Sequence, residues 1–281
     1  MPFSGKTKKP RDFAVREILK KVLRRKPMGH SPVQFSGPYH SLEKAAAAST
    51  GYDASEIAEG VISAMEQVRR GEAAMERDGF ALSRPQYPYQ LLAVLLLLAA
   101  EKGNAKLSVV DFGGSLGSSY FACKPWLRHI RNLRWTVIEQ SHFVSIGNNR
   151  FADGSLEFAA SIEALAFRPD LVLASGVLMY LSDPYETLNR LLNIGAEMCV
   201  IDRTATVPNA DDIFSVEHVQ SSNYTASYPC RFLSHSKLTT ACLANYSCVE
   251  EFSALDKFSV PFAELAFIGL ILRLKNHAKK T

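Results

Sequence analysis

Leu107-Ser-Val-Val-Asp111-Phe-Gly113-Gly114-Ser115-Leu-Gly117-Ser-Ser-Tyr120 is the stretch that decides the architecture. An apolar run that ends in an acid and passes through three glycines into a helical segment is how an α/β sheet builds a floor for a nucleotide-like ligand. In the dinucleotide fingerprint the strand end carries the first glycine, whereas here that position is Asp111. Twenty-two residues beyond Gly117, the run Trp135-Thr-Val-Ile-Glu139 ends in a second carboxylate. A carboxylate at that strand end can accept both hydroxyls of a ribose.

From residue 107 onward, short apolar runs alternate with helical segments. The expected strands are 107–111, 135–139, 156–158, 170–174 and 198–202, and such a rhythm predicts a mostly parallel sheet with helices on both faces. Asp183-Pro184-Tyr-Glu186 opens the best internal helix, with an N-cap acid and proline in the first turn, and Gly195 closes it. A helix over 236–244 and strands at 246–252 and 265–274 end the fold. Strands joined without a helix between them pair antiparallel, so the last strand is expected to run against the rest. Residues 203–236 show no clean period and read as an insertion or long loop.

Ahead of the sheet, residues 27–38 have the Pro/Gly composition of a linker. Helices are expected at 42–49 and after the capping box Asp53-Ala-Ser-Glu56, followed by a Leu-rich core helix. The expected division is a basic arm over 1–29, a helical cap and core-entry helix over 30–104, and the ligand-binding domain over 105–275 with its insertion at 203–236.

The chain has 281 residues and 47% hydrophobic composition, enough for one large core. Its formal charge of +4 is uneven: residues 1–26 hold ten Lys/Arg and two Asp/Glu, so the remainder is net −4. An acidic body argues against a nucleic-acid partner, which needs a basic stripe. Within the arm, Phe13, Ile18, Leu19, Val22 and Leu23 recur at helical spacing among basic residues. Two readings stand: residues 11–26 as a helix in peripheral contact with an anionic membrane, or a solvated arm packed locally. The ten-residue apolar stretch 91–100 is too short to span a bilayer. Five dispersed cysteines without C-x-x-C spacing give neither a zinc site nor a disulfide framework and fit a reducing cytoplasm. Asp211-Asp212 reads as a solvated pair, so no metal is expected.

Gly37-Pro-Tyr39, Gly51-Tyr-Asp53, the run 110–120, Trp135-Thr-Val-Ile-Glu-Gln140, Ser175-Gly-Val-Leu-Met-Tyr-Leu181, Ile201-Asp-Arg-Thr204 and Tyr228-Pro229 occur in order. Together they resemble a family of class I methyltransferases associated with bacterial lipopolysaccharide and other surface-polysaccharide genes. The resemblance spans about residues 35–275 and leaves the basic arm outside. It implies a Rossmann-like, seven-stranded, mostly parallel sheet with an antiparallel last strand. It also implies S-adenosylmethionine as donor and a sugar or glycan precursor as acceptor, in the cytoplasm or at the inner membrane face. The donor lacks a pyrophosphate, so its loop tolerates the acid at 111. Expected cofactor contacts are Asp111, Gly113, Gly114, Ser115, Gly117, Glu139, Gln140, Phe158, Ser175 and Gly176, with Ser115 where a middle glycine is more usual.

A hydroxyl acceptor benefits from a base, and the candidates are His218, His235 and Asp202. Tyr180, Arg203, Tyr224, Tyr228 and Arg231 are the expected acceptor contacts. Two other readings remain at this stage: a non-catalytic S-adenosylmethionine-binding protein serving as a partner or membrane-tethered module, and a nicotinamide oxidoreductase, which Asp111 disfavours. The oligomeric state is not encoded in any of these features.

Overall fold

The structure, a computed structural model, describes residues 33–50, 54–208, 211–220 and 225–275. The basic arm, the capping-box residue Asp53 and Tyr224 lie outside the described residues. The central sheet begins with β4 (Lys106–Phe112), flanked by β5 (Asn132–Ile138) and β7 (Leu171–Ser175), all parallel. β6 (Leu156–Ala159) extends it beyond β5, and β8 (Met198–Val207) beyond β7, again in parallel. β12 (Ala266–Leu274) then runs antiparallel between β8 and β11 (Tyr246–Ser253). These seven strands form the expected Rossmann-like sheet with its antiparallel last strand.

Alternation along the strands divides the core. Leu107 and Val109 face one layer with Trp135 and Val137, covered by α3 (Tyr89–Glu101), while Val110, Val172 and Ile201 face the other, covered by α6 (Pro184–Asn193) and α7 (His235–Leu243). α3 buries Leu91, Leu92, Val94, Leu95, Leu98 and Ala99, side chains worth about 1.5–3 kcal/mol each for the large ones. Its thirteen residues suit a core helix, and among the described residues no helix is long and apolar enough to cross a membrane. At α6, the Asp183 carboxylate accepts the Glu186 N–H at 2.9 Å, the cap expected from its sequence.

Two expectations need correction. Residues 203–236 are not an irregular loop, since β9 (Ile213–Gln220) and β10 (Thr225–Ser234) form an antiparallel hairpin. Nor do residues 27–38 form only a linker, because β1 (Val33–Tyr39) pairs antiparallel with β9. Among the described residues the sheet therefore has ten strands, seven of the expected core and three of an annex.

The junction is a β-bulge in β8. Asp202 and Arg203 together oppose the single residue Gly269, between the pairs Ile201↔Leu270 and Thr204↔Ile268. Arg203 sits at φ 53°, in the left-handed region. A bulge bends its strand, and here β8 leaves β7 at Asp202 and takes β10 as parallel neighbour at Thr206 and Val207. The cap region holds α1 (Leu42–Ala47), which packs on β9 and β10, then α2 (Ala54–Arg70) and a small hairpin of β2 (Met75–Arg77) and β3 (Phe80–Leu82). Asp78 (φ 52°) and Gly79 (φ 80°) turn that hairpin, both left-handed as a two-residue type I′ turn requires.

Candidate active site at the carboxyl edge of the sheet

β4 lies where the strand order reverses, so the crevice opens between the loops that follow β4 and β7. Those loops touch. A Cβ on Gly113 (φ 71°) would come within 2.4 Å of Val177 Cγ2, and one on Gly114 within 2.5 Å of Asp111 Cγ. Both positions therefore require glycine, the first for conformation and space, the second for space alone. Ser115 adopts φ 54°, and Gly117 at φ 90° caps α4 (Ser118–Cys123).

Asp111 lies behind this loop, packed between Gly114 and Trp135. Only 1% exposed, it accepts the Trp135 Nε1–H at 3.1 Å. Burial pushes its carboxyl up to about 7 against the Trp135 hydrogen bond, with Glu139 adding repulsion. Glu139, just past β5, accepts the backbone N–H of Gln140 at 2.8 Å and lies close enough to the Ser115 N–H for it to favour the ionised carboxyl, which brings the second strand end against the glycine loop. Burial holds Glu139 above the ordinary carboxylate range despite these contacts. Gln140 is the exposed N-cap of α5 (Ser141–Arg150). Phe158 turns away: 7% exposed, it presses on Gly147 of α5, where a Cβ would meet its ring at 2.5 Å.

Ser175 pairs with Asp202, and the Gly176 N–H donates to the Asp202 carbonyl at 3.0 Å. Asp202 is thus at the crevice rim, its Oδ1 accepting the Arg203 N–H at 2.7 Å, and burial raises its carboxyl above the usual range. The Arg203 guanidinium closes the front. It donates to Asp78 Oδ1 and Oδ2 at 3.1 and 2.7 Å and to Asp256 Oδ2 at 2.9 Å, while Arg77 reaches Asp256 Oδ1 at 2.8 Å. This network fastens the β2–β3 turn over the strand ends. Beneath it, Glu76 is buried, accepts the Gly79 N–H (2.7 Å) and the Ser118 hydroxyl, and is raised by burial to about 7.

On the annex side, a 3-10 turn at Leu178–Tyr180 follows Val177. Tyr180 is 39% exposed as a residue, and its hydroxyl donates to Glu217 Oε2 at 2.7 Å. Tyr228 stands opposite Glu217 in the β9–β10 ladder, donates to its Oε1 at 3.3 Å, and meets Tyr180 edge to face at 5.5 Å. Glu217 is 6% exposed, and burial raises its carboxyl to about 7 against the two phenol hydrogen bonds.

His218 is not brought to this cluster. Consecutive residues of a strand face opposite ways, and His218 Nε2 lies 2.8 Å from Ser36 Oγ of β1. His235 opens α7 and pairs with Glu251 of β11 at 3.0 Å, a surface contact. Arg231 also projects from the face opposite Tyr228, reaching Asp212 (3.3 Å), the Ser182 carbonyl (3.0 Å) and the Phe214 ring. Of the expected acceptor contacts, the structure gathers Tyr180, Tyr228 and Arg203. It adds Glu76, Asp78, Asp256 and Glu217, which sequence reasoning missed. The Asp78-Gly79 turn between short strands was a readable hairpin signal. Reading 213–220 as a strand would have separated Glu217 from His218.

No protein-family model and no curated protein matches the chain. Solved structures do. The magnesium protoporphyrin IX methyltransferase of Synechocystis PCC 6803 with bound S-adenosylmethionine is 12% identical at TM-score 0.44, over 66% of this chain and 79% of that one. The N-terminal domain of EvdMO1, crystallised with S-adenosylhomocysteine and D-fucose, is 19% identical at TM-score 0.45, over 75% and 97%. CalS10, an amino pentose methyltransferase from Micromonospora echinaspora, is 10% identical at TM-score 0.41, over 64% and 90%. Likeness at this level assigns no activity.

Proposed function

We propose that the protein is an S-adenosylmethionine-dependent methyltransferase that modifies a hydroxyl of a sugar or surface-glycan precursor. The observation that carries this reading is the set of acids around the glycine loop: Asp111 behind Gly114, Glu139 beside the Ser115 backbone, and Glu76 on Ser118. A diphosphate brought there would be repelled, whereas a donor bearing a sulfonium and an ammonium is attracted. Glu139 would take the ribose hydroxyls, and the backbone of residues 113–117 would border the amino-acid end. When bound, the donor supplies an electrophilic methyl group.

The protein's own contribution is chiefly alignment. Holding an acceptor oxygen in line with the methyl at ~3 Å can supply up to roughly 7–11 kcal/mol. Exposed Tyr180, backed by Tyr228, offers an apolar platform with polar edges of the kind a saccharide can lie against. A surface-polysaccharide precursor as acceptor, and a cytoplasmic or inner-membrane-face location, follow from the resemblance of the ordered motifs.

Calorimetric titration with S-adenosylmethionine and with NAD tests the donor. Heat with the former and none with the latter is expected, and no heat with S-adenosylmethionine at high concentration sinks the reading. Transfer of labelled methyl into nucleotide-linked sugars then separates an enzyme from a non-catalytic binding protein.

A further inference from the structure

Glu217 is a buried carboxylate on the annex side, and among the described residues the charged groups that act on it, Asp78 and Arg203, belong to the crevice. Tyr180 faces it from the turn after β7, Tyr228 and Cys230 from β10, Asp78 from the β2–β3 hairpin and Arg203 from the β8 bulge. β1 contributes only the Phe35 backbone position opposite it in the ladder. Two of the bonds at this carboxylate differ. Oε2 holds Tyr180 at 2.7 Å, while Oε1 holds Tyr228 at 3.3 Å, a distance that leaves that oxygen the weaker engaged.

Resting on the methyltransferase reading, we propose that Glu217 Oε1 is the proton acceptor for the acceptor hydroxyl, with Tyr180 and Tyr228 aiming the carboxylate into the crevice. The step balances. The acceptor O–H proton passes to Glu217, the acceptor oxygen bonds to the methyl carbon, and the S–CH3 bond breaks with its electron pair going to sulfur. A sulfonium and a carboxylate become a thioether and a carboxylic acid, so opposite charges are neutralised. His218, on the other face of the same strand, takes no part.

Because the base must be ionised, kcat rises with pH through a single limb at or below the value near 7 set by burial of Glu217, then levels off. The phenol hydrogen bonds favour the ionised form. Removing them with the double variant Tyr180→Phe, Tyr228→Phe therefore moves the limb to higher pH while leaving it present. Glu217→Gln should bind S-adenosylmethionine as wild type does, lose about 10²–10⁴-fold in kcat, and lose the limb.

The assay is transfer of labelled methyl from S-adenosylmethionine into a panel of nucleotide-linked hexoses and deoxyhexoses, with donor binding measured by calorimetry on the same preparations. Active wild type with Glu217→Gln equally active, or with its limb unchanged, overturns the base and leaves the methyltransferase reading standing. Should Glu217→Gln fail to fold, a double tyrosine variant whose limb stays in place or moves to lower pH overturns it instead. Wild type that binds no donor overturns both.

Discussion

The donor side of the crevice and the annex side solve different problems with different materials. On the donor side, backbone geometry does the work: Gly113 and Gly114 admit nothing larger, and Asp111 and Trp135 are packed behind them. On the annex side, side chains do it. Tyr180, Tyr228 and Glu217 come from three separate elements and meet by hydroxyl–carboxylate contacts. On the proposed reading, the difference teaches that donor recognition is built into a turn, whereas acceptor recognition is assembled from parts that can be exchanged.

The sharpest way to break this contrast is Gly114→Ala. Its Cβ would fall 2.5 Å from Asp111 Cγ, so donor binding by calorimetry is expected to disappear, with a stability loss of about 1–3 kcal/mol in urea. Undiminished binding would mean that the loop is not the donor floor. Arg203→Met comes next. It removes both Arg203 hydrogen bonds to Asp78, leaving the longer ion pair with Arg77 at 3.6 Å, and takes the Arg203 hydrogen bonds from Asp256, and is expected to cost about 2 kcal/mol. Limited proteolysis should then cut the β2–β3 hairpin faster while donor affinity changes little. Loss of donor affinity instead would show that the two sides are not separable.

A pH series sharpens the comparison further. Glu76, Asp111 and Glu217 all carry folded-state values near 7, above the ordinary carboxylate range. The folded protein binds these protons more tightly than the unfolded chain, so stability is greatest below the unfolded values and falls as pH rises toward and through 7. Melting temperature should fall between pH 5 and pH 8, and Glu217→Gln should flatten the slope. The smallest effect is expected from His218→Ala. Losing the Ser36 contact costs about 1 kcal/mol, and methyl transfer should stay near the wild-type rate. A large fall in kcat would return His218 to the chemistry.

Legibility followed the same divide. The strands from β4 to β12 that make up the seven-stranded sheet were readable because they are short apolar runs between helical segments, and Asp111-Phe-Gly-Gly stands at the end of one of them. The annex hid because its buried positions include Ser215 and Glu217 on one face and Ser227 on the other, so period-two hydrophobicity is interrupted on both. β1 hid for another reason. Gly37 and Pro38 fall where its register with β9 shifts between Ser36 and Tyr39, and an edge strand tolerates a residue that cannot donate to the ladder. The same polarity that conceals these strands places Glu217 in the crevice, and strand parity, once known, turns His218 away from it.

That parity has a consequence for β8. With Asp202 and Arg203 sharing one partner, the chain counts an extra residue between its two halves, so the faces exchange sides in mid-strand. Deleting either residue would leave Ile201 and Thr204 opposite Leu270 and Ile268 as before, with one residue facing Gly269, and so would remove the bulge without turning over any side chain beyond it. The bulge is in this sense a hinge pin, and a one-residue deletion there should be read differently from any substitution: it keeps β8 in step with β12 but takes away the bend that directs the strand from β7 toward β10.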